Sequence, residues 1–400
     1  MAKDNSTFFL KKNIWSEVKD ELLGCYLKPY IQKILATRRP LFYVDCFAGK
    51  GRFDDGTKGS PLIALEIIDE CLKATAMQKA QIESCYIDLN YADDLNRNIA
   101  GYNNTHVISG RYEENIEDLL RGKRGYNVFL YIDPYGIKAL DCGLFDNFSG
   151  YGFNSIEMLI NLNSFGFMRE ACRAMKVAYS DVEAFDELVE YEPSTMDTSD
   201  QSIQDLTDIA GGDYWRKIVE DYKSHRIDGY EAERQFSLQY CLRMSQKYKY
   251  VLNMPIRLKE GHRPKYRMIH ATNHEDGCVL MYENICKRWE RLGDIQTGGQ
   301  MTLFDLSVEN EIIDIAAIRA KMEQHMSQYS INTMLSKILA EFYTKYGVLC
   351  KPPVIREILQ DLEGSEFIIV TRTPETTKAG KPTQFFTENS KQRVQIRRKP

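Results

Sequence analysis

The chain has 400 residues, of which 43% are hydrophobic and 27% charged, values typical of a globular protein with two or three domains and a buried core. No stretch approaches the ~18 consecutive apolar residues of a membrane-spanning helix, and the polar N-terminus lacks the apolar segment of a secretory signal, so we expect neither a membrane protein nor a secreted one. The ten cysteines are scattered without a CxxC pair, which indicates reduced thiols and a cytoplasmic location.

The net charge of −5 is unevenly distributed along the chain. Residues 181–213 contain eleven acidic residues and no lysine or arginine, whereas residues 367–400 contain eight basic residues against two glutamates. A basic terminal segment on an acidic protein favours an anionic partner at that end. The alternative, a solvated tail without a partner, fits the charge pattern equally well.

The first predicted element is an amphipathic helix over residues 16–35, in which Pro29 is placed to kink or split the helix. Short apolar runs that alternate with helical stretches follow it, which predicts crossover units and a parallel sheet. The predicted strands are residues 41–47, 85–88, 107–109, 128–132 and 156–162, and the intervening helices include residues 60–72 and 115–120. The leading interpretation is therefore a doubly wound α/β sheet.

After the fifth strand, residues from about 163 to 248 lack strand patterns and are rich in Glu, Ala, Met and Leu, which predicts a helical insertion. Residues 250–258 and 266–271 are then predicted to form an antiparallel hairpin. Five parallel strands followed by such a hairpin is, by analogy, the order of a Rossmann-like class I methyltransferase sheet.

The C-terminal quarter has a different pattern, and a Gly/Gln-rich linker over residues 293–305 separates it from the rest. Helices are predicted at residues 310–324, 331–346 and 354–362, and strands at residues 366–371, 384–387 and 393–396, with a lysine-containing turn over residues 373–382. Helices followed by strands around a basic loop indicate a winged-helix domain. The predicted organisation is a methyltransferase-like domain over residues 1–292, the linker, and a winged helix over residues 306–400.

The first chemical motif is in residues 43–53, where a strand runs into Asp45 and then into Gly49-Lys50-Gly51. Glycines are needed where the backbone turns tightly and lets a ligand approach. Asp45 would attract the sulfonium or amino group of S-adenosylmethionine (SAM), whereas a dinucleotide site would need a third glycine where Asp54 stands. The motif therefore favours SAM over NAD as the cofactor, and a plain tight turn remains the alternative.

A second acidic residue, Asp88, ends the next predicted strand, at the position where nucleotide-type sites bind ribose hydroxyls. A strand-end aspartate also commonly caps the following helix, and this alternative stays open. Arg111, after the third strand, stands where many methyltransferases have an acid that contacts adenine. The predicted cofactor-binding residues are Asp45, Phe47, Ala48, Gly49, Gly51, Asp88 and Leu89.

The third motif is Asp133-Pro134-Tyr135-Gly136, at the end of the fourth strand. Methyltransferases that act on exocyclic amino groups carry Asp/Asn-Pro-Pro-aromatic at this place, where the acid accepts a hydrogen bond from the amine and the ring stacks on the base. Here Tyr135 stands in the position of the second proline and Gly136 in that of the aromatic residue. We predict Asp133, Pro134 and Tyr135 as the catalytic residues, with a simple Asp-Pro turn as the alternative.

No metal site is predicted. His270, His274 and Cys278 are four residues apart, but His270 lies in a predicted strand and His274 at its exit, so helical periodicity does not bring the three together. The sequence contains no motif of a serine hydrolase, a zinc protease, a P-loop enzyme or a protein kinase, which leaves hydrolase and kinase interpretations without support.

Several segments together resemble the three-Cys-motif partner (TcmP) family. They are residues 46–51, 59–65, 132–136, 211–215 and 267–274, together with Lys19, Leu22, Leu23, Tyr26 and Leu27. The resemblance covers roughly residues 10–290 and implies a class I SAM-dependent methyltransferase-like protein, encoded beside a radical-SAM-like protein with a three-cysteine motif. A more distant likeness to ribosomal-RNA adenine-N6 methyltransferases implies a nucleobase amine as the acceptor.

These observations predict a SAM-dependent methyltransferase that acts on a nucleic acid, DNA or RNA, at a nucleobase exocyclic amine. The winged helix would hold the nucleic acid through five basic residues, Lys378, Lys381, Arg393, Arg397 and Arg398. One alternative is a non-catalytic SAM-fold protein that recruits the radical-SAM-like protein to nucleic acid. The other is a small-molecule or protein methyltransferase whose winged helix only dimerises.

Overall fold

The computed structural model describes residues 9–10, 12, 14–74, 81–134, 136–179, 197–256, 266–297, 314–389 and 391–400. The chain divides into two compact units, residues 1–273 and residues 274–400. No helix among the described residues is long and apolar enough to cross a membrane. The ten cysteines are free thiols, and nine of them are buried.

The first unit is built on a seven-stranded sheet. Its strands are β1 (Leu41–Asp45), β2 (Ile82–Asp88), β3 (Thr105–Ser109), β4 (Asn127–Ile132), β5 (Ser155–Leu162), β6 (Tyr250–Ile256) and β7 (Tyr266–Thr272). Their order in the sheet is β3-β2-β1-β4-β5-β7-β6, with β1 to β5 parallel and β7 antiparallel to both of its neighbours. The sheet is mostly parallel and consistent with a Rossmann-like methyltransferase fold, which confirms the α/β prediction.

The central strands are apolar on both faces because helices pack on both sides of the sheet. The connecting helices are α2 (Ser60–Ala74), α3 (Ala92–Ile99), α4 (Tyr112–Arg121) and α5 (Cys142–Phe148), and α1 (Ile14–Thr37) precedes them. Phe129 of β4 packs against Tyr30 of α1, with 5.2 Å between the ring centroids. Its neighbour Leu130 points to the other face and belongs to the core that contains Ile116 of α4. The proline predicted to kink or split α1, Pro29, lies inside this helix without ending it.

Between β5 and β6, the described residues form four helices in the segment that the sequence predicts as a helical insertion. They are α6 (Ser164–Ala174), α7 (Asp200–Ala210), α8 (Tyr214–Lys223) and α9 (Gly229–Met244). Local signals start three of them, because the side chains of Asn163, Ser199 and Asp228 accept backbone N–H groups in the first turns of α6, α7 and α9. Phe167 of α6 stacks on Phe236 of α9 with 4.0 Å between the ring centroids, and both rings belong to the core of the sheet.

The second unit contains helices and a three-stranded sheet. The helices are α10 (Glu275–Thr297), α11 (Ile315–Met326), α12 (Leu335–Tyr346) and α13 (Pro352–Gly364), and the strands are β8 (Thr333–Met334), β9 (Ile368–Thr373) and β10 (Arg393–Arg398). The order in the sheet is β8-β10-β9, with both pairings antiparallel. Val394 and Ile396 of β10 are fully buried, as are Ile338 of α12 and Leu359 of α13, so this unit has a core of its own.

Two sequence predictions for the second unit are wrong. Residues 384–387 do not form a strand, and the third strand of the sheet is instead β8, at residues that the sequence predicts as the start of a helix over 331–346. The helix begins only at Leu335 because Thr333 and Met334 pair with Ile396 and Gln395 of β10. A strand of two residues has no periodicity that a sequence pattern can reveal.

The division into units also falls earlier than the boundary at residue 292 that the sequence predicts. The reason is α10, which packs on α12 in the second unit. Tyr282 of α10 stacks on Tyr343 with 3.5 Å between the ring centroids, and its hydroxyl donates to the Cys350 carbonyl at 2.5 Å. The predicted linker, residues 293–305, begins in the last turns of α10, and its part from residue 298 onward lies outside the described residues.

Candidate functional site

The strand order reverses between β1 and β4, and in open α/β sheets ligands bind at such a switch point, in the crevice outside the carboxyl ends of the strands. Asp45 is the last residue of β1, Asp88 is the last residue of β2, and Asp133 directly follows β4. Because these three strands are parallel neighbours, the three carboxylates that the sequence singles out lie at the same edge of the sheet.

Asp45 is fully buried, and its carboxylate accepts hydrogen bonds from the Phe47 N–H at 3.3 Å and the Ser60 hydroxyl at 2.6 Å. Burial raises the pKa of Asp45 from 3.8 to about 7; the two hydrogen bonds oppose the increase, and the nearby carboxylates of Asp20 and Asp133 add to it. No lysine or arginine in the described part of the chain forms an ion pair with Asp45. A cationic group bound here would stabilise the ionised carboxylate.

Asp88 ties the end of β2 to the glycine-containing segment after β1. One carboxylate oxygen accepts the Gly49 N–H at 2.8 Å, and the other accepts the N–H groups of Asn90 at 2.8 Å and Tyr91 at 2.6 Å. A carboxylate offers about four lone-pair directions, so roughly one of them remains for a ligand hydroxyl. Asp88 therefore positions the loop and caps the turn into α3, and it retains limited capacity to bind ribose.

Gly49 and Gly51 have φ angles of 60° and 77°, in the left-handed region that favours glycine. A Cβ on Gly51 would lie 2.9 Å from Leu95 Cδ1 of α3, and a Cβ on Gly49 would lie 3.2 Å from the ring of Phe9. The turn and the packing of the protein itself therefore require both glycines. That a ligand also approaches them stays a prediction.

Asp133 is fixed by side chains from two other elements. Lys19 Nζ of α1 lies 2.9 Å from Oδ1 and 2.8 Å from Oδ2, and Asn161 Nδ2 of β5 donates to Oδ1 at 2.8 Å. The side-chain amide oxygen of Asn161, Oδ1, is buried and accepts no hydrogen bond from the part of the chain that the structure describes. Sequence reasoning did not assign either residue to the site. The strand register could have suggested Asn161, because it pairs Ile132 with Ile160, so the next residues of the two strands are neighbours.

A second lysine accompanies the carboxylates at this edge. Lys12 Nζ lies 2.6 Å from Asp20 Oδ2, and burial raises the pKa of Asp20 from 3.8 to about 6 despite this ion pair. When Asp20, Asp45 and Asp133 are all ionised, the group carries one negative charge more than Lys12 and Lys19 neutralise. The residues present therefore fit a positively charged group such as the sulfonium of SAM, since a cation at this edge balances the surplus charge.

The other residues predicted for this site have different environments. Ala48 and Pro134 are buried, and Phe47 is half-buried with its ring centroid 5.4 Å from that of Tyr112. Leu89, directly after Asp88, is 47% exposed. Tyr135, predicted as a catalytic residue, lies outside the described residues.

The five basic residues predicted to bind nucleic acid lie in or beside β10, in the second unit. Lys378 and Lys381 are exposed in the segment that connects β9 with β10. Arg393 and Arg397 lie at alternate positions of β10 to its buried residues. Arg398 ends the strand and places its guanidinium over a phenylalanine ring, 5.7 Å from the centroid.

No group of three histidine, cysteine, aspartate or glutamate side chains within the described ranges could hold a metal ion. His270 is fully buried, with Nε2 3.1 Å from Glu157 Oε2, and the Tyr26 hydroxyl donates to the same oxygen. The Cys278 thiol instead lies 3.8 Å from the Ala340 carbonyl oxygen in the second unit. The His270 and Cys278 side chains are thus each part of the packing of their own unit.

No protein-family model matches the chain, and no curated protein sequence matches it. Similar solved structures include the CMeT domain of the citrinin polyketide synthase, at 10% identity and a TM-score of 0.29, covering 59% of this chain and 47% of that one. They also include the plantazolicin methyltransferase BamL in complex with a triazolic desmethylPZN analogue and SAH, at 11% identity and a TM-score of 0.30, covering 65% of this chain and 86% of that one.

A third similar structure is the CurJ carbon methyltransferase, at 9% identity and a TM-score of 0.31, covering 62% of this chain and 54% of that one. The chain spans about half the length of the CMeT domain structure and of the CurJ structure. The first unit is a mostly parallel α/β domain, and its sheet order is consistent with a Rossmann-like methyltransferase fold.

Proposed function

We propose that the protein is a SAM-dependent methyltransferase whose cofactor lies at the crevice between β1 and β4. Asp45 carries the proposal, because it is a fully buried carboxylate at the switch point with a pKa raised to about 7 and no cationic partner among the described residues. When bound, SAM supplies a methyl group on a positively charged sulfonium. Lys12 and Lys19 pair with Asp20 and Asp133, so the unpaired negative charge of Asp45 favours that cation, and Asp88 retains one acceptor direction for a ribose hydroxyl.

We propose an exocyclic amine of a nucleobase as the methyl acceptor. An amino group donates two hydrogen bonds, and the Asp133 carboxylate and the side-chain amide oxygen of Asn161 are adjacent acceptors. Two such acceptors would fix the orientation of the amine nitrogen before the reaction. Lys19 keeps the Asp133 side chain in place through its two short contacts and competes with the amine for the carboxylate.

The second unit supports a nucleic acid as the substrate. The order helix, short strand, two helices, strand, basic connection and strand is that of a winged-helix domain, which we propose for residues 306–400. Its exposed basic residues favour a phosphate backbone. From the resemblance to the TcmP family, we also propose a radical-SAM-like protein with a three-cysteine motif as a partner. The free, mostly buried thiols support a cytoplasmic location.

The cofactor is tested by calorimetric titration of the purified protein with SAM, as wild type, as Asp45→Asn and as Asp54→Asn. Asp54 is an exposed carboxylate in the same loop and provides the matched control. We expect the control to bind SAM like the wild type, and Asp45→Asn to lose at least about tenfold in affinity, equivalent to about 1.4 kcal/mol. A wild-type protein that binds neither SAM nor S-adenosylhomocysteine contradicts the proposal.

The acceptor is tested by incubation of the protein with methyl-labelled SAM and total nucleic acid from a host that lacks the gene. Digestion to nucleosides should yield one labelled species, with the methyl group on an exocyclic nitrogen. Label on a ring carbon, on a ribose hydroxyl or on a protein would reject the acceptor and retain the cofactor.

A second function is favoured by the contacts that the Asp133 side chain makes within the protein. Its carboxylate is already occupied by Lys19 and Asn161, as expected of a protein that kept the fold and lost the chemistry. In that case the protein recruits its radical-SAM-like partner to nucleic acid. Binding of both SAM and nucleic acid without transfer of label to any nucleoside would favour this alternative.

A further inference from the structure

We infer that the second unit binds the backbone of duplex RNA with the outer face of its sheet and the β9–β10 connection, and not with helix α13. The inference rests on the proposed function for the class of partner, a nucleic acid. It goes further in specifying which surface of the unit binds, and in specifying that the nucleic acid is double-stranded and contains ribose. We call this surface the basic face; it consists of Thr371, Thr373, Lys378, Lys381, Lys391, Arg393, Gln395 and Arg397.

The sheet part of the basic face follows from strand alternation. Val394 and Ile396 of β10 are buried, and strand alternation leaves Arg393, Gln395 and Arg397 on the outer face. The antiparallel register places exposed Thr373 opposite Arg393 and exposed Thr371 opposite Gln395. The outer face of β9 and β10 therefore presents five residues that can donate hydrogen bonds and no carboxylate, together with half-buried Ile369 opposite Arg397.

The β9–β10 connection, residues 374–392, extends this surface. Its tip is a tight turn, in which the Thr377 N–H donates to the Lys381 carbonyl at 2.8 Å and Gly380 has a φ of 75°. Lys378 and Lys381 flank the turn and are exposed, and Lys391 is exposed beside β10. An open groove of about 540 Å³ between the two arms of the connection is lined by Pro374, Phe385 and polar residues that include Lys378, again without a carboxylate.

The charges of the basic face are not neutralised within the described part of the unit. No ion pair there involves Lys378, Lys381, Lys391, Arg393 or Arg397. By contrast, Arg372 on the inner face of β9 forms a two-fold contact with Glu363 at 2.6 and 2.7 Å. The connection also contains two acids, exposed Glu375 and half-buried Glu388, so a surplus of three positive charges remains for an anionic partner.

The exposed surface of helix α13 is acidic, in contrast to the basic face. Its exposed residues are Pro353, Glu357, Gln360, Asp361 and Gly364, which include two acids and no base. Arg356, the basic residue of this helix, is half-buried. A helix inserted into a groove lies between two rows of phosphates, which repel acidic side chains. The charge distribution therefore disfavours α13 as the docking element.

The side chains on the basic face favour duplex RNA over other nucleic acids. Duplex RNA is recognised across its wide, shallow minor groove through phosphates and 2′-hydroxyls. Thr371, Thr373 and Gln395 can each donate and accept hydrogen bonds, which is what a 2′-hydroxyl requires. The sheet part of the basic face contains no aromatic side chain on which unpaired bases could stack, and Phe385 in the adjacent groove is half-buried, which favours a duplex over a single strand.

The test measures binding of the full chain by fluorescence anisotropy over a series of salt concentrations. The probes are a labelled RNA duplex of about 16 base pairs, a DNA duplex of the same sequence and one RNA strand alone. The basic-face variant is Arg393→Gln/Arg397→Gln. The matched control, Lys345→Gln/Arg356→Gln, removes two charges from α12 and α13 of the same unit.

We expect the wild type to bind duplex RNA at least about tenfold more tightly than either other probe. The basic-face variant should lose at least about tenfold in affinity and reduce the slope of log affinity against log salt by about 1.4–1.8, whereas the control should leave both unchanged. The variant Thr371→Val/Gln395→Leu should lower the preference for RNA over DNA and keep the salt slope. Thermal unfolding followed by circular dichroism verifies that each variant is folded.

Three outcomes overturn the inference. The first is a control variant that loses as much affinity as the basic-face variant, because α13 would then be the docking element. The second is a DNA duplex or a single strand that binds as tightly as the RNA duplex. Because the assay contains no SAM, a failure of methyl transfer does not affect it. Absence of binding to all three probes would reject the inference and the nucleic-acid part of the proposed function, and would leave the SAM proposal standing.

Discussion

At the scale of single residues, Asp45 links the candidate site to the stability of the protein. Its pKa is 3.8 in an ordinary environment and about 7 in the folded state. Between these values the folded protein holds a proton that the unfolded chain has lost, so the free energy of unfolding falls as the pH rises from about 4 to about 7. Above that range both states are ionised and the full penalty of burying the charge remains.

We therefore predict that Asp45→Asn is more stable than the wild type at pH 8, and that this advantage grows by roughly 3 kcal/mol between pH 5 and pH 8. Urea unfolding at the two pH values measures the difference. The exposed control Asp54→Asn should show no comparable growth. An advantage of the same size at both pH values would mean that Asp45 does not titrate in this window.

Asp133 permits a second prediction, on catalysis. Asp133→Asn keeps the shape of the side chain and removes its charge. The amine that receives the methyl group then loses a charged hydrogen-bond acceptor, whereas the cofactor keeps Asp45. We expect the rate of methyl transfer to fall by about 100-fold or more and the affinity for SAM to stay within about threefold. Initial rates with labelled SAM and calorimetry measure the two quantities. Equal losses in both would assign Asp133 to the cofactor pocket.

The Lys19–Asp133 pair permits a third prediction, on stability. The two side chains are 10% and 19% exposed, so Lys19→Met leaves a largely buried carboxylate without its cation. We expect a cost of about 2–4 kcal/mol in the free energy of unfolding, and recovery of about half of it when Asp133→Asn is added. Chemical denaturation of the two single variants and the double variant gives the coupling. Strictly additive effects would show that the ion pair contributes nothing.

The residues of the site differ in how far the sequence predicts them. Asp45, Asp88 and Asp133 are predictable because each follows an apolar strand, and strand ends of a parallel sheet meet at one edge. Lys19 contacts Asp133 across 114 positions of sequence, and Asn161 does so across 28. Those contacts depend on how α1 and β5 pack, which no local pattern encodes.

At the scale of elements, the loop after β1 packs closely against α3 at Gly51. A side chain there meets two obstacles, a φ of 77° and a Cβ position 2.9 Å from Leu95 Cδ1. Gly56 in the same loop has a φ of 87° and nothing within 4 Å of its Cβ position. It therefore provides a control in which only the backbone strain is present.

We predict that Gly56→Ala costs about 1 kcal/mol in the free energy of unfolding and that Gly51→Ala costs about 2–4 kcal/mol. Urea unfolding of the two variants separates the steric contribution from the backbone contribution. Equal costs at the two positions would mean that α3 moves freely away from the loop, and the loop would then not be anchored by this contact.

The elements themselves are predictable where a pattern is long enough. Strands β1 and β4 and the helices around them follow from apolar runs and periodicity, and the parallel sheet follows from their alternation. The order of the strands is predicted only by analogy. The two-residue strand β8 has no such pattern, and residues 384–387 alternate like a strand without pairing as one. Pairing depends on a partner that is distant in sequence, whereas the pattern describes only one of the two segments.

At the scale of the whole molecule, the two units differ in the sign of the charge at their candidate sites. The edge of the seven-stranded sheet has a surplus of carboxylates, and the basic face has a surplus of lysine and arginine. The sequence indicates the basic end through composition alone. It does not indicate where the first unit ends, because α10 continues into the Gly/Gln-rich segment and packs on α12.

Because the two proposed ligands have separate binding residues, we predict that variants separate the two activities in the full chain. The variant Lys378→Gln/Lys381→Gln/Arg393→Gln/Arg397→Gln should lose binding to duplex RNA. At a SAM concentration of a hundred times its Kd, this variant should still gain about 2.7 kcal/mol in the free energy of unfolding of the first unit, as the wild type does. Asp45→Asn should show the reverse, with RNA binding retained and the stabilisation by SAM reduced. Anisotropy and urea unfolding with and without SAM measure both quantities, and a four-residue variant that no longer responds to SAM would show that the two sites are not separate.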